Sequence, residues 1–324
     1  MFCNIYYGNI ESFLLNDVFE KESSHVIKGH TSDNCNTLFV QSGGDLHLLM
    51  RMTDDFLLIS TNKCTSLRFL NKLNNIPKKL GAKINRDKSR VNWKHCSLNF
   101  SGTGGVKTIQ TCEDFLFPWC GLLIDTRTCE IRLDHLRFAG RQVTDTVLVH
   151  RSGNEGWHLK KQMKGFIRPR CCQRLLFSSC INRLRTVRLN FYQTFILCAI
   201  KTAHCLLRSG GKNPWIHERF LYAAACDTIN FGFLLISSKI KHGKMPTALS
   251  PSRNSKPFRL AWKDALWLGK HAFLSVFRRV KVLCIPQQQY HHSKLCRMFS
   301  EPLRAANRKD LLAVSRQALK SFPI

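Results

Sequence analysis

The chain has 324 residues, 44% of them apolar, which leaves room for a sizeable core and about two domains. Lys and Arg number 50 against 21 Asp and Glu, a net of +29, and self-repulsion on that scale opposes compaction unless a polyanion, most often nucleic acid, offsets it. An anionic membrane is the other basic-protein partner, but no apolar run reaches the roughly 18 residues of a spanning helix, and the longest, 191–207, is broken by Gln193, Lys201 and His204.

The opening MFCNIYYGNIESF lacks a basic segment followed by an apolar stretch and a small-residue cleavage site, so it does not read as a secretory signal. Residues 4–20 predict a short amphipathic helix, and the polar stretch 20–36 a loop. Two short apolar runs, 46–52 and 56–59, then read as buried strands on either side of Thr53-Asp54-Asp55. Leu67, Leu70, Leu73 and Ile76 mark one face of a helix over 64–80, closed by Pro77 and Gly81. Residues 82–84 and 91–93 suggest strands around the basic turn NRDKSR, SGTGG at 101–105 a connector, and 115–124 a strand pair.

From about residue 128 Gly and Pro thin out, and helix-compatible stretches cover 171–207, 214–239, 261–282 and 304–321. Between Arg127 and Arg188 stand fourteen basic and four acidic residues, a local excess of ten. An α+β part over 1–128 followed by a basic, all-α part over 129–324 is therefore expected, with no internal repeat. The fifteen cysteines are an odd, scattered set, and Cys198, Cys205 and Cys226 lie inside apolar runs. Buried thiols in a reducing compartment, nucleus or cytosol, explain them better than disulfides.

Asp54 and Asp55 carry the chemistry. Two carboxylates at a hairpin tip between apolar flanks are costly to desolvate unless a cation neutralises them. Mg2+ suits, since it takes oxygen ligands and often only one or two carboxylates besides substrate phosphates. A bare Asp-Asp also occurs as a polar turn, so the flanks LLMRMT and FLLIS matter more than the pair itself.

LLMRMTDDFLLIS resembles motif C of reverse transcriptases, and its leading Leu-Leu-x-Arg and trailing Phe-Leu-Leu look like the telomerase version. GAKINRDKSRVNW resembles motif D, with Asn85 and Lys88 in its Asn-x-x-Lys, and FLFPWCGLLIDTRT at 115–128 is similar to motif E almost residue for residue. IYYGNIE resembles the helix after motif B, and KNPW at 212–215 and ACDTIN at 225–230 look family-like. The chain thus resembles the telomerase reverse transcriptases. That resemblance implies the α+β palm remnant of a right-hand polymerase followed by a helical thumb. It implies the catalytic subunit of an RNA-directed DNA polymerase adding telomeric repeats to chromosome 3′ ends. Its partners would be the telomerase RNA template, a telomeric DNA primer, dNTP and upstream telomerase domains; no membrane is implied. Its metal would be Mg2+ and its location the nucleus, at the telomere. By the same resemblance Asp54 is a metal ligand and Asp55 its less critical neighbour. Lys88 protonates the leaving pyrophosphate. Trp119, Cys120 and Gly121 form the primer grip, and Lys160, Lys161, Lys164, Arg168 and Arg170 meet the nucleic-acid backbone.

One departure is Thr53, where the family usually has an apolar residue, and a shift of packing is expected there. The third carboxylate of a two-metal site, in motif A, has no counterpart, since Asp17, Asp33 and Asp45 stand in the wrong order and context. The 324 residues alone are therefore expected to be inactive. Two other readings stay open: a non-catalytic protein that binds RNA–DNA duplex, and a retroelement-type or intron-type reverse transcriptase, against which Phe-Pro-Trp-Cys-Gly argues. Cys284, His291, His292 and Cys296 have zinc-ligand chemistry, but their spacing fits no common finger. Cys171-Cys172 is too close to chelate, and His95-Cys96 lacks a third orienting group.

Overall fold

A computed structural model describes Ile10 and residues 25–28, 35–42, 44–80, 85, 88–93, 110–111, 115–135, 147, 155–208, 217–241, 259–280, 289–306 and 308–320. The expected helix over 4–20 (Ile10 apart), the strand 82–84, the connector 101–105 and the motif at 212–215 lie outside the described residues. The chain divides into two compact units, Met1–Cys120 and Gly121–Ile324.

The first unit holds a four-stranded antiparallel sheet in sequence order, β1 (His25–Lys28), β2 (Cys35–Ser42), β3 (Asp45–Met52) and β4 (Asp55–Ser60). Two of these strands overturn part of the loop expected over 20–36. HVIK is short and framed by polar residues, so its alternation carries no signal by itself. Pairing with β2, from His25↔Gln41 to Lys28↔Leu38, supplies what local propensity lacks. Gly44, at φ +90°, turns β2 into β3.

Along β3 burial alternates, with His47, Leu49 and Arg51 buried on one face, where Phe56, Leu58 and Ser60 of β4 lie opposite; Leu57, opposite Met50, is buried on the other face. The apolar runs are thus half-buried strands, with Leu46 and Ile59 exposed. The helix α1 (Lys63–Leu80) starts at Asn62, whose Oδ1 accepts the amides of Cys64 and Thr65 at 2.8 and 3.3 Å, an N-cap. Asn62 Nδ2 also donates to Asp45 Oδ2 at 2.7 Å, tying the base of the β3–β4 hairpin to the helix start. Val91 of β5 (Arg90–Val91) packs against Leu67, Leu70 and Trp93. β5 pairs in parallel with β6 (Gln110–Thr111), and β7 (Leu116–Trp119) ends the unit.

The second unit is helical but not all-α. It opens with the antiparallel pair β8 (Leu122–Asp125) and β9 (Ile131–Leu133). Seven helices follow among the described residues: α2 (Glu155–Cys171), α3 (Arg174–Phe177), α4 (Leu184–Arg208), α5 (Glu218–Lys241), α6 (Trp262–Val280), α7 (Gln289–Ala305) and α8 (Lys309–Lys320). The single helix expected over 171–207 is broken at 172–173 and again at 178–183, where Asn182 turns its amide inward to bond Leu175 O and Ile131 N. The single helix expected over 304–321 is also two. α7 ends at Ala305, and Arg308 before α8 takes up ion pairs. α2 falls in the basic stretch expected to be helical, whereas α7 escaped the sequence reading because Lys, Arg and His interrupt its apolar period.

α4 is the central rod, packed against α2, α6 and α8 and buried nearly all round from Thr186 to Leu206. That burial accounts for its apolar run and for Gln193, which meets His135 Nδ1 at 3.1 Å. Phe273, Phe277 and Phe299 fill the α6–α7 side, with ring centroids 5.6–6.2 Å apart. Among the described residues one helical segment, Glu218–Lys239, is long and apolar enough to cross a membrane by length and composition, which corrects the expectation that no segment was. In this fold its Leu221, Ala224, Ala225, Ile229 and Ile236 are buried, and α5 packs against α2, α6 and α7.

Candidate functional site

Met52 pairs with Asp55, so only Thr53 and Asp54 connect β3 to β4. A two-residue hairpin needs positive φ at its first or both central positions, and Thr53 takes φ +58°. That conformation is strained for a β-branched residue. Arg51, 1% exposed, compensates: its Nη1 donates to Thr53 O at 2.8 Å from inside the unit. The leading Arg of the motif therefore braces the turn, a role the sequence did not suggest. Thr53 is exposed, so its polarity does not disturb the core. Asp54 and Asp55 are both exposed at the tip, offering oxygen donors to solvent.

The second turn, Cys120-Gly121, has positive φ at both residues, +49° and +79°. Gly tolerates this freely; for Cys120 the conformation is strained. The Cys120 thiol donates to Asp55 Oδ2 at 3.5 Å, across 65 residues of sequence. Within the first unit, then, the Asp-Asp hairpin and the Trp-Cys turn meet. Trp119 is 7% exposed, and its ring is part of the core. Lys88 is exposed in a tight turn, its amide donating to Asn85 O at 3.2 Å. Among the described residues no hydrogen bond joins its side chain to Asp54 or Asp55.

Two polar turns keep the strands in place. Asp45's carboxyl lies below its usual range because Asn62 donates to it. Burial would raise Asp125, but the amides of Arg127 and Thr128, donating at 3.0 and 3.1 Å, outweigh it and hold the carboxyl low. That Asx turn shapes the Asp-Thr-Arg-Thr end of the 115–128 string. In the second unit Glu130 caps α4, accepting from Arg183 N at 2.7 Å and Thr186 Oγ1 at 3.2 Å.

The predicted basic residues fall on α2 in two groups. Trp157, Lys161, Lys164 and Arg168 follow helical spacing along one stripe. Lys161 Nζ sits 4.7 Å from the Trp157 ring centroid, and Trp157 is 53% exposed. Lys164 and Arg168 lie over Phe231 of α5 at 5.6 and 5.3 Å. Lys160 instead pairs with Asp227, and Arg170 Nη1 donates to Phe166 O at 3.4 Å. Trp157 and Phe231 were missed, although an aromatic four positions before a lysine in a basic helix is a readable signal.

Residues 157–287 match the family described as telomerase reverse transcriptase, C-terminal extension. The chain is 27% identical over 286 residues to a telomerase reverse transcriptase of Arabidopsis thaliana, covering 86% of this chain and 24% of that relative. It is 28% identical over 281 residues to one of Bos taurus, covering 84% and 24%. It is 31% identical over 173 residues to one of Rattus norvegicus, covering 53% and 15%. The chain spans about a quarter or less of the length of these relatives.

Proposed function

We propose, for a chain related over most of its length to the telomerase reverse transcriptases, that it carries the Asp-Asp hairpin, primer grip and thumb of an RNA-directed DNA polymerase that adds telomeric repeats to chromosome 3′ ends. The observation that carries this reading is the approach of the Cys120 thiol to Asp55 at 3.5 Å, which unites two motifs far apart in sequence. Asp54 and Asp55 fit Mg2+, since both are exposed and offer only oxygen, the donor that ion takes. Bound there, Mg2+ would offset the charge of the reacting phosphates.

The protein's own part is positioning, which dominates phosphoryl-transfer catalysis. Arg51 fixes the turn that presents Asp54 and Asp55. The Cys120-Gly121 reversal offers backbone to the primer's 3′ end. Lys88, exposed in its turn, supplies a proton to the leaving pyrophosphate. Lys161, Lys164 and Arg168, with Trp157, hold the RNA–DNA duplex by its backbone, a contact that carries no sequence information. Partners on this reading are the template RNA, the telomeric primer and dNTP, and the place of action is the telomere in the nucleus.

A polypeptide of these 324 residues alone extends no primer on this reading, because a third carboxylate must come from outside it. A second reading, non-catalytic duplex binding, is favoured by the α2 stripe, which needs no metal. One experiment separates them. Binding of the chain to an RNA–DNA duplex is titrated against salt, and primer extension is assayed in parallel. The expected result is binding whose salt slope falls by about 1 for each of Lys161→Ala, Lys164→Ala and Arg168→Ala, and extension only when an upstream polymerase segment is supplied. Extension by the 324 residues alone refutes the need for that carboxylate. Unchanged slopes refute the stripe.

A further inference from the structure

Outside the polymerase motifs, the second unit gathers two imidazoles and a carboxylate at the start of α5. His217 Nδ1 lies 3.2 Å from Glu218 Oε2, and His291 Nδ1 of α7 lies 2.8 Å from the same oxygen. All three ligand atoms fall within 4.8 Å of one another. We infer that His217, Glu218 and His291 form a binding site for a late first-row divalent metal, Zn2+ foremost, that clips the start of α5 to α7.

The geometry supports this at the scale of coordination. Tetrahedral zinc with bonds of about 2.0–2.1 Å needs ligand atoms about 3.3 Å apart. Two of the three pairs are already at 2.8 and 3.2 Å, and only the two imidazole nitrogens must close on each other. The rings are 5.6 Å apart in an edge-on arrangement, and both His217 and His291 are partly exposed, so ring rotation and metal entry are open. Glu218 is fully buried, and Lys294 Nζ sits 2.6 Å from its other oxygen, Oε1. That partner fixes the carboxylate and leaves Oε2 turned to the histidines, the supporting contact that ligating carboxylates take in metal sites. Two imidazoles favour Zn2+, Co2+ or Ni2+ over Mg2+, so this site is chemically distinct from Asp54-Asp55. The neighbouring His292 and Cys296, 3.8 Å apart, do not share these atoms.

The test uses the whole chain with Co2+ as a spectroscopic probe and Zn2+ as competitor. Exposed thiols such as Cys64, Cys129 and Cys180 take up soft metals too, so the readout is the difference between parent and variants. The expected result is one equivalent of Co2+ with visible d–d bands in the parent, displaced by Zn2+. That equivalent weakens at least about 10-fold in both His217→Ala and His291→Ala and is retained in His292→Ala and Cys296→Ser. Both histidines are surface-accessible, and unchanged far-ultraviolet circular dichroism checks that the variants are folded. Zn2+ should also raise the unfolding temperature of the parent and not of His217→Ala. Identical Co2+ titrations of parent and both variants, or a loss seen instead with His292→Ala, overturn the assignment and leave the cluster as a Lys294–Glu218–His291 ion-paired staple.

Discussion

Asn190→Ala offers a stringent test of how the second unit holds its strands. Asn190 is 0% exposed, and its side chain makes three bonds: Oδ1 accepts Leu133 N at 3.0 Å, and Nδ2 donates to Ile131 O at 2.9 Å and Leu176 O at 2.8 Å. Alanine removes all three partners at once. Each buried backbone group left unpaired costs about 1–3 kcal/mol. Three such groups, with a carbonyl able to recover part of the loss by rearrangement, give a destabilisation of about 3–5 kcal/mol. That is a large fraction of the roughly 5–15 kcal/mol that keeps a domain folded. Urea unfolding followed by circular dichroism measures it, because seven of the eight helices among the described residues lie in this unit. Asn182→Ala removes two bonds, to Ile131 N at 2.6 Å and Leu175 O at 2.7 Å, and should cost less. Since both asparagines serve Ile131, the double variant should lose less than the two single losses together. A loss under about 1 kcal/mol for Asn190→Ala refutes the claim that these amides, and not apolar packing alone, fasten β9 to α3 and α4.

Two glycines of this unit should respond in opposite directions. A Cβ at Gly269 would meet Ile229 Cγ1 and Cδ1 at 2.6 and 2.7 Å, so Gly269→Ala should destabilise by about 1–3 kcal/mol. At Gly165 a Cβ meets nothing within 4 Å on an exposed helix face, and Gly165→Ala should stabilise by about 0.5–1 kcal/mol. Thermal unfolding reads both, and equal effects refute the packing assignment. Stability should also fall at acid pH through Asp310, which Arg308 holds at a pKa of about 2, with burial opposing and Arg188 assisting. A depressed folded pKa means stability that is complete above the unfolded pKa of about 3.9 and lost as pH falls from about 4 to 2. The difference in urea midpoint between the parent and Asp310→Asn should therefore be present at pH 6 and vanish near pH 2; a pH-independent difference contradicts the assignment.

The parts of this fold that were legible in the sequence are those whose pattern is local. Leu67 and Leu70 announce α1 by spacing, and Thr53-Asp54-Asp55 between apolar runs announces the β3–β4 turn. The parts that were not legible depend on distant partners. β1 exists because β2 pairs with it. The break before α4 goes with Asn182, which turns inward to β9, and Asn190 within α4 does the same; both are ordinary polar letters in a helical stretch. Arg51 reads as one more cation of a basic chain, yet it is buried and braces the Asp-Asp turn. Likewise, His217 and His291 stand far apart in sequence, so no spacing rule joins them.

The most direct test of the central claim, that Asp54 and Asp55 hold the metal of an RNA-directed DNA polymerase, is primer extension by a complemented enzyme. In it this chain replaces the aligned quarter of the Arabidopsis thaliana relative. Template-dependent, Mg2+-dependent extension is predicted for the chimera, with loss of activity of at least about 100-fold in Asp54→Ala and unchanged affinity for an RNA–DNA duplex. Extension that survives Asp54→Ala undiminished, while the chimera still binds its duplex, contradicts the account.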